Sequence, residues 1–126
     1  MEIIKEINRM QRVLGHSEIE KLDPNWKIFY EEENDQAKGF VILYTYNRLP
    51  YEPEYITGKV AEIGIFTFPE HRGEGVATRL VEQAIEYAKE NRIDIVADCK
   101  AKGYTLLKQL GFIDSIDKRV WLQCSK

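Results

Sequence analysis

The chain has 126 residues, of which 44% are hydrophobic and 31% charged, a balance typical of a folded globular domain rather than a disordered chain. A net charge of −3 gives no basis for binding nucleic acid or an anionic membrane, and no apolar run is long enough to cross a bilayer. The two cysteines, Cys99 and Cys124, are too few for a disulfide framework, and the charged first residues do not resemble a signal peptide. We therefore expect a single cytoplasmic domain over residues 1–126, either an enzyme or a binding domain.

The first part of the chain predicts a helix followed by a hairpin. Apolar residues recur at helical spacing over 2–14. Ser17 and Glu20 fit a capping box, which predicts a second short helix over "SEIEKL". The segments "WKIFYEE" (26–32) and "GFVILYTYN" (39–47) are rich in aromatic and β-branched residues and flank the turn-forming "ENDQ", so they predict an antiparallel hairpin. The second strand is apolar on both faces, which predicts a central position in its sheet.

The second part of the chain predicts a strand–helix–strand unit followed by a short helix and a last strand. An irregular linker over 48–59 comes first. Two strands joined by a crossover helix should be parallel, and we expect the remaining pairs to be antiparallel. The predicted fold is therefore mixed α+β, a twisted and mostly antiparallel sheet with helices on its faces. The elements are strands over 60–68, 93–99 and 120–124, and helices over about 75–91 and 104–110.

The stretch "PEHRGEGVATRLVEQAIEYAKE" (69–90) places two glycines and an arginine directly before a strongly amphipathic helix. The N-terminus of a helix binds anions, Gly73 and Gly75 remove side chains that would hold a phosphate away, and Arg72 adds a guanidinium. Alternatively, the glycines only permit a tight turn into the helix. A phosphate-binding Walker loop does not fit, because no Lys-Ser or Lys-Thr follows the glycines. The dinucleotide fingerprint is only half present, since Thr78 occupies the place of its third glycine.

A family resemblance covers roughly residues 60–113. "RGEGVA" has the pattern [Q/R]-x-x-G-x-[G/A], follows "FTFPEH", and precedes an amphipathic helix, a strand and a short helix that ends in "LGF". This order resembles the GNAT superfamily of N-acetyltransferases. The resemblance implies a GNAT-like fold whose central βαβ unit holds acetyl-CoA as co-substrate, with no metal. It implies acetyl transfer to a primary amine of a small molecule or protein by direct attack.

The resemblance also implies which residues contact the cofactor. The strands over 60–68 and 93–99 are expected to splay apart and leave backbone groups of the first strand available for the pantetheine arm. Phe66, Thr67 and Phe68 would bind that arm through their backbone. The pyrophosphate would be held by the loop and the start of the helix, that is, by Arg72, Gly73, Glu74, Gly75, Val76, Ala77 and Thr78.

The catalytic groups are less clearly marked. Glu62 interrupts an otherwise apolar strand and is the candidate general base, because burial there would make its carboxylate more basic. Alternatively, it points to solvent or forms a salt bridge. The family pattern L-Y-x-K-L-G-F supplies a tyrosine as acid, but Leu107 occupies that position in "GYTLLKQLGF" and is assigned to the cofactor contacts. Tyr104 is the substitute candidate acid, with packing against the sheet or the pantetheine as its alternative role.

Other features bear on the acceptor and on competing chemistry. The linker residues Tyr51, Glu52, Glu54 and Tyr55 would suit a cationic amine, although an acidic loop is more commonly just solvated. Cys99 could suggest an acyl-cysteine, but no histidine accompanies it, and a buried thiol is the simpler interpretation. The second hypothesis is a non-catalytic domain of the same fold that binds CoA or a partner protein. Either protein would be a monomer or a homodimer.

Overall fold

A computed structural model describes residues 1–46, 59–98, 101–114 and 119–124. The described strands form one sheet in the order β1-β2-β3-β4-β6-β5, in which β3 and β4 are parallel and the other neighbours antiparallel. This arrangement confirms the predicted α+β class and the βαβ unit. The elements are α1 (Ile3–Leu14), β1 (Trp26–Glu33), β2 (Gln36–Tyr46), β3 (Val60–Thr67), α2 (Val76–Asn91), β4 (Asp94–Asp98), α3 (Ala101–Gln109), β5 (Ile113–Asp114) and β6 (Arg119–Leu122).

The predicted hairpin is formed by β1 and β2. Its turn residues Asn34 and Asp35 both have positive φ, 52° and 65°. Two left-handed residues in succession make the turn whose twist matches that of paired strands, and Asn and Asp tolerate this conformation better than most side chains. The turn therefore sets the register, in which Glu33 lies opposite Gln36.

The sheet is covered on both faces, as predicted. On one face α1 places Ile7 and Met10 against Phe40 of β2. On the other face the apolar stripe of α2, which includes Leu80, packs against Val41 and its neighbours. Successive residues of a strand point to opposite faces, and β2 is apolar on both faces over residues 40–44. It pairs with β1 on one side and β3 on the other, which confirms its predicted central position.

The predicted second helix after α1 is wrong. Gly15, with φ of 73°, ends α1, and residues 16–23 form no helix. The side chain of Asn8 accepts a hydrogen bond from the backbone N–H of Ile19 at 2.8 Å and donates one to its carbonyl at 2.9 Å. Arg12 pairs with Glu18. The capping-box signal is overridden because these contacts hold the segment in a non-helical conformation along α1.

Smaller differences occur toward the C-terminal end of the chain. The helix α3 begins at Ala101, three residues before the predicted start, and ends at Gln109. The strand β5 was not predicted because two residues carry no readable periodicity. The strand β6 spans Arg119–Leu122 rather than 120–124.

A partly buried ion pair joins α1 to the sheet. Glu6 is only 8% exposed, and its carboxylate accepts from the backbone N–H of Ala37 at 2.6 Å and from Arg9 at 2.9 Å. Arg9 also donates to the carbonyl of Ala37 at 2.7 Å, and its guanidinium lies 3.5 Å from the ring centroid of Phe68. Since Phe68 directly follows β3, this network connects α1 with the segment that leads into the glycine loop.

We expect Glu6→Ala to lower the free energy of unfolding by about 2–3 kcal/mol, because it leaves the buried N–H of Ala37 without its acceptor. Burial raises the pKa of Glu6, but the hydrogen bonds from Arg9 and Ala37 outweigh it and hold that pKa below its usual range. Since the folded pKa lies below the unfolded one, this contribution is present above roughly pH 4–5 and lost as pH falls through the folded value.

Urea unfolding at pH 7 and between pH 5 and 3 measures both effects. Glu6→Gln should flatten the acid-induced loss of stability, whereas the exposed control Glu20→Gln should not. An unchanged pH slope in Glu6→Gln would contradict the assignment.

Candidate active site

The loop after β3 turns sharply into α2 at two glycines. Gly73 has φ of 83° and Gly75, the N-cap residue of α2, has φ of 79°. Residues with side chains are disfavoured in this left-handed region, so glycine is required for the turn itself. The sequence suggested that these glycines make room for a phosphate, and this is therefore only part of the reason for them.

The N-terminus of α2 has unused backbone donors. No side chain caps it, no acidic residue lies in its first turn, and its first helical hydrogen bond runs from Arg79 N–H to the Gly75 carbonyl. The preceding N–H groups of the first turn point out of the positive end of the helix dipole. A pocket of about 220 Å³ lies at this end, lined by Thr67, His71, Arg72, Gly73, Gly75, Val76, Ala77 and Thr78.

Hydrogen bonds and ion pairs of charged side chains hold the outer side of the glycine loop in place. Arg79 donates to the Glu74 carbonyl at 2.8 Å and binds Glu31 of β1 through two hydrogen bonds of 2.7 and 2.8 Å. The Glu74 carboxylate lies 3.1 Å from Lys38 and 3.0 Å from His71, and these hydrogen bonds, that of Lys38 first, lower its pKa. The side chain of Glu74 does not line the pocket, and its negative charge is paired with Lys38.

Arg72, unlike Glu74, lies at the wall of the loop pocket. Its side chain lines both the loop pocket and the larger cleft next to it. Within the part of the chain that the structure describes, this guanidinium makes no hydrogen bond or ion pair. It is therefore available to a ligand anion without first losing a protein partner.

The parallel strands separate, as expected. Their ladder pairs Val60 with Asp94 and ends with Glu62 opposite Val96, while β3 continues beside β2 to Thr67. The edge of β3 that faces away from β2 is thus unpaired over several residues. A cleft of about 590 Å³ opens along it, lined by Leu14, Ile65, Phe66, Thr67, Arg72, Ala77, Gly103 and Leu106.

The cleft continues to Glu62. A pocket of about 290 Å³ shares Ile65 and Gly103 with it and is lined also by Glu62, Ile63, Ala97, Asp98 and Leu107. At its other end the cleft shares Thr67, Arg72 and Ala77 with the loop pocket. One channel therefore runs from the N-terminus of α2, along the unpaired edge of β3, to the carboxylate of Glu62.

Glu62 is less buried than expected. Its side chain is 38% exposed and lies 3.6 Å from Arg119 of β6, which is only 5% exposed. The same guanidinium lies 3.5 Å from Asp98 at the end of β4. The salt-bridge alternative for Glu62 is therefore present. Two carboxylates in one pocket share a buried cation.

Asp98 and Arg119 are site residues that sequence analysis missed. Asp98 carried a readable signal, since it is the polar residue that ends the buried strand "DIVAD". Arg119 carried none, because its proximity to Glu62 arises only from the pairing of β6 with β4.

Of the residues that the sequence predicted in α3 and at the end of β3, some line the channel and others do not. Gly103, Leu106 and Leu107 line the channel. Tyr104 does not, and its hydroxyl donates to Asp114 at 2.9 Å, beside Lys108. Phe66 and Thr67 line the cleft, whereas Phe68 is buried in the core and its N–H donates to the Lys38 carbonyl.

Several candidates lie outside the described residues, namely Tyr51, Glu52, Glu54, Tyr55 and Cys99. The other cysteine, Cys124, is buried, and burial together with the charge of Asp94 raises the pKa of its thiol. Within the described ranges, no cluster of His, Cys, Asp and Glu suits a metal ion, and none of the helices has the length and apolarity of a membrane span.

The fold is shared with acetyltransferases of solved structure. A protein of Clostridium acetobutylicum, described as a predicted acetyltransferase and solved with acetyl-CoA, superposes with a TM-score of 0.66 at 23% identity over 96% of this chain and 86% of that one. An N-acetyltransferase of Staphylococcus aureus superposes with a TM-score of 0.62 at 19% identity, over 97% of this chain and 90% of that one. The yncA protein of Salmonella typhimurium, solved with its cofactor acetyl-CoA, superposes with a TM-score of 0.61 at 17% identity, over 94% of this chain and 70% of that one. At these identities the likeness establishes the acetyltransferase fold.

The sequence establishes the family. The profile of the acetyltransferase (GNAT) family matches residues 3–112. The chain therefore belongs to this family, as the loop "RGEGVA" and its flanking elements predicted. A search among curated proteins finds no significant match.

Proposed function

We propose that this protein transfers an acetyl group from acetyl-CoA to a primary amine by direct attack. The observation that carries the proposal is the single channel that joins the donor-rich N-terminus of α2 to the carboxylate of Glu62. Its length along an unpaired strand edge suits an extended ligand with an anionic group at one end and a reactive group at the other.

The residues of the channel fit a coenzyme A thioester. The N–H groups of the first turn of α2 and the guanidinium of Arg72 would hold the pyrophosphate, since both are donors without protein acceptors in the described structure. The unpaired edge of β3 next to Thr67 and Phe66 offers backbone groups to the amides of the pantetheine arm. The individual contacts of these residues remain predictions.

At the Glu62 end of the channel, acetyl transfer needs a proton acceptor near the nitrogen of the acceptor amine. When bound, the thioester supplies an acetyl carbon that exchanges its bond to sulfur for a bond to the acceptor nitrogen. Glu62 takes the proton that the nitrogen loses, and Arg119 holds this carboxylate at the wall of the channel. Leu107 supplies no proton, so water protonates the departing thiolate, which is a good leaving group.

Acetyl-CoA should raise the melting temperature of the protein by several degrees, because a ligand at a hundred times its Kd stabilises the native state by about 2.7 kcal/mol. Arg72→Ala should reduce this shift, whereas Lys89→Ala, which removes a cation at the other end of α2, should preserve it. Thermal denaturation with and without 1 mM acetyl-CoA (an excess over a micromolar Kd) measures both variants. No shift for the unaltered protein would contradict acetyl-CoA as its ligand.

A non-catalytic CoA-binding domain is the second candidate, and the observation that favours it is Leu107 in place of the family's tyrosine. Measurement of thiol release with a panel of amines separates the two. A thermal shift with no release above the rate without amine would establish the binding domain.

A further inference from the structure

A separate pocket lies on the face of the sheet covered by α1. Its volume is about 150 Å³, and it is formed between the C-terminal half of α1 and the strands β2 and β3. Most of its lining is apolar and comes from Met10, Leu14, Phe40, Ile42, Ile65 and Phe66. A cavity of this size and lining accommodates a benzene ring.

This pocket adjoins the channel, since it shares Leu14, Ile65 and Phe66 with the large cleft. Ile65 lines the pocket, the large cleft and the cavity at Glu62 alike. Tyr44, which lines the pocket, lies directly opposite Glu62 in the register of β2 and β3. Directly opposed residues share a face of the sheet with Cβ atoms roughly 5 Å apart. A group seated in the pocket therefore lies next to the general base.

The polar part of the lining does not suit a cation. Among the residues that the structure describes, it consists of Gln11, His16 and Tyr44, and none of these is a carboxylate. The amide of Gln11 already donates to the Ser17 carbonyl at 3.2 Å, and the ring of Tyr44 packs edge-to-face on Trp26 at 5.2 Å between centroids. An ammonium or guanidinium placed here would lose its hydration without gaining a counter-charge from the described lining residues.

A glycine in β3 shapes the wall of this pocket. A Cβ atom built on Gly64 would lie 2.9 Å from Cε2 of Tyr44, which is closer than real contacts allow. The absence of a side chain at Gly64 thus lets the Tyr44 ring lie across β3. The pocket is a feature of packing between β2 and β3 rather than a gap in the core.

We propose that the acceptor amine carries an uncharged apolar group, of the size of a phenyl ring or a branched aliphatic side chain, which binds in this pocket. Its nitrogen would then lie near Ile65, between the apolar pocket and Glu62. The proposal rests on the proposed acetyl transfer and names the class of its acceptor. The cationic acceptor that Tyr51, Glu52, Glu54 and Tyr55 suggested stays a separate prediction, because those residues lie outside the described part of the chain.

Direct binding tests the pocket without any acetyl transfer. Phenethylamine and putrescine are titrated into the protein without acetyl-CoA, and binding is followed by NMR chemical-shift changes. We expect phenethylamine to bind at least tenfold more tightly than putrescine, and Met10→Phe, which fills the pocket, to weaken phenethylamine at least tenfold. Val13→Phe, on the exposed side of α1, is the matched control and should bind as the unaltered protein does. Equal binding of the two amines, or unchanged binding in Met10→Phe, would overturn the proposal.

A second variant avoids the buried core. Leu14 is 45% exposed at the edge of the pocket, so Leu14→Asp should fold normally and place a carboxylate there. We expect it to bind putrescine more tightly and phenethylamine more weakly than the unaltered protein. The reverse, or no change in the ratio of the two affinities, would again overturn the proposal.

Steady-state kinetics then distinguishes a failure of the apolar-acceptor proposal from a failure of the proposed acetyl transfer. With acetyl-CoA, kcat/KM for phenethylamine should exceed that for ethylamine by about ten- to hundredfold, from the burial of a phenyl group. A ratio near one contradicts the apolar acceptor even if acetyl transfer is real. If no amine releases thiol, the proposed acetyl transfer fails, and the binding titrations alone decide the pocket.

Discussion

Glu62→Gln should lower kcat/KM for amine acetylation by about 10²–10³-fold, because the amide keeps the shape of the side chain but cannot accept the proton of the attacking nitrogen. The affinity for acetyl-CoA should change less than twofold, since Glu62 lies at the far end of the channel from the α2 N-terminus. Thiol release at saturating acetyl-CoA, together with calorimetric titration of acetyl-CoA, measures both quantities.

Two further variants make this result specific. Glu82→Gln, on the exposed side of α2, controls for loss of one negative charge and should retain full activity. Asp98→Asn tests the other carboxylate that faces Arg119 in the same pocket. If Asp98→Asn abolishes thiol release while Glu62→Gln does not, the base is Asp98. If neither variant slows the reaction, no carboxylate of this pocket is the base.

Gly75→Ala should weaken acetyl-CoA binding by at least tenfold and destabilise the fold. A side chain at φ of 79° costs about 1–2 kcal/mol. The added Cβ would also lie 2.9 Å from Nη1 of Arg79, which would displace that guanidinium from the Glu74 carbonyl. The loop would lose its brace, and the N–H groups at the start of α2 would lose their fixed orientation. Calorimetry with acetyl-CoA and urea unfolding measure the two effects.

Gly15→Ala is the matched control for backbone strain. Its φ of 73° is similar, and a Cβ there would meet nothing within 4 Å. It should therefore lose stability without losing affinity for acetyl-CoA. Equal loss of affinity in both variants would show that general destabilisation, and not the loop, is responsible.

Those parts of the fold whose determinants are local could be predicted. The hairpin follows from two aromatic and β-branched runs around a turn at Asn34 and Asp35, and α2 follows from a stripe of apolar residues at helical spacing. The βαβ unit needed only the rule that a crossover helix joins parallel strands. The glycine loop with these elements was enough to identify the family.

Errors arose where distant residues compete with a local signal. Ser17 and Glu20 would cap a helix in isolation, but Asn8 binds both backbone groups of Ile19, and the helix does not form. The strand β5 exists only because β6 pairs with it. Local propensity amounts to tenths of a kcal/mol per residue, so one or two tertiary hydrogen bonds outweigh it.

The same division applies to the site. By itself the sequence determined the glycine turn and the uncapped start of α2, which we propose as the anion-binding end, because both are properties of adjacent residues. It also singled out Glu62 as the polar residue in an apolar strand. Only the tertiary structure decided the surroundings of that carboxylate, since Arg119 and Asp98 reach it through the pairing of β4 with β6. The apolar pocket beside it likewise requires α1 to pack across β2 and β3, a contact between segments far apart in the chain.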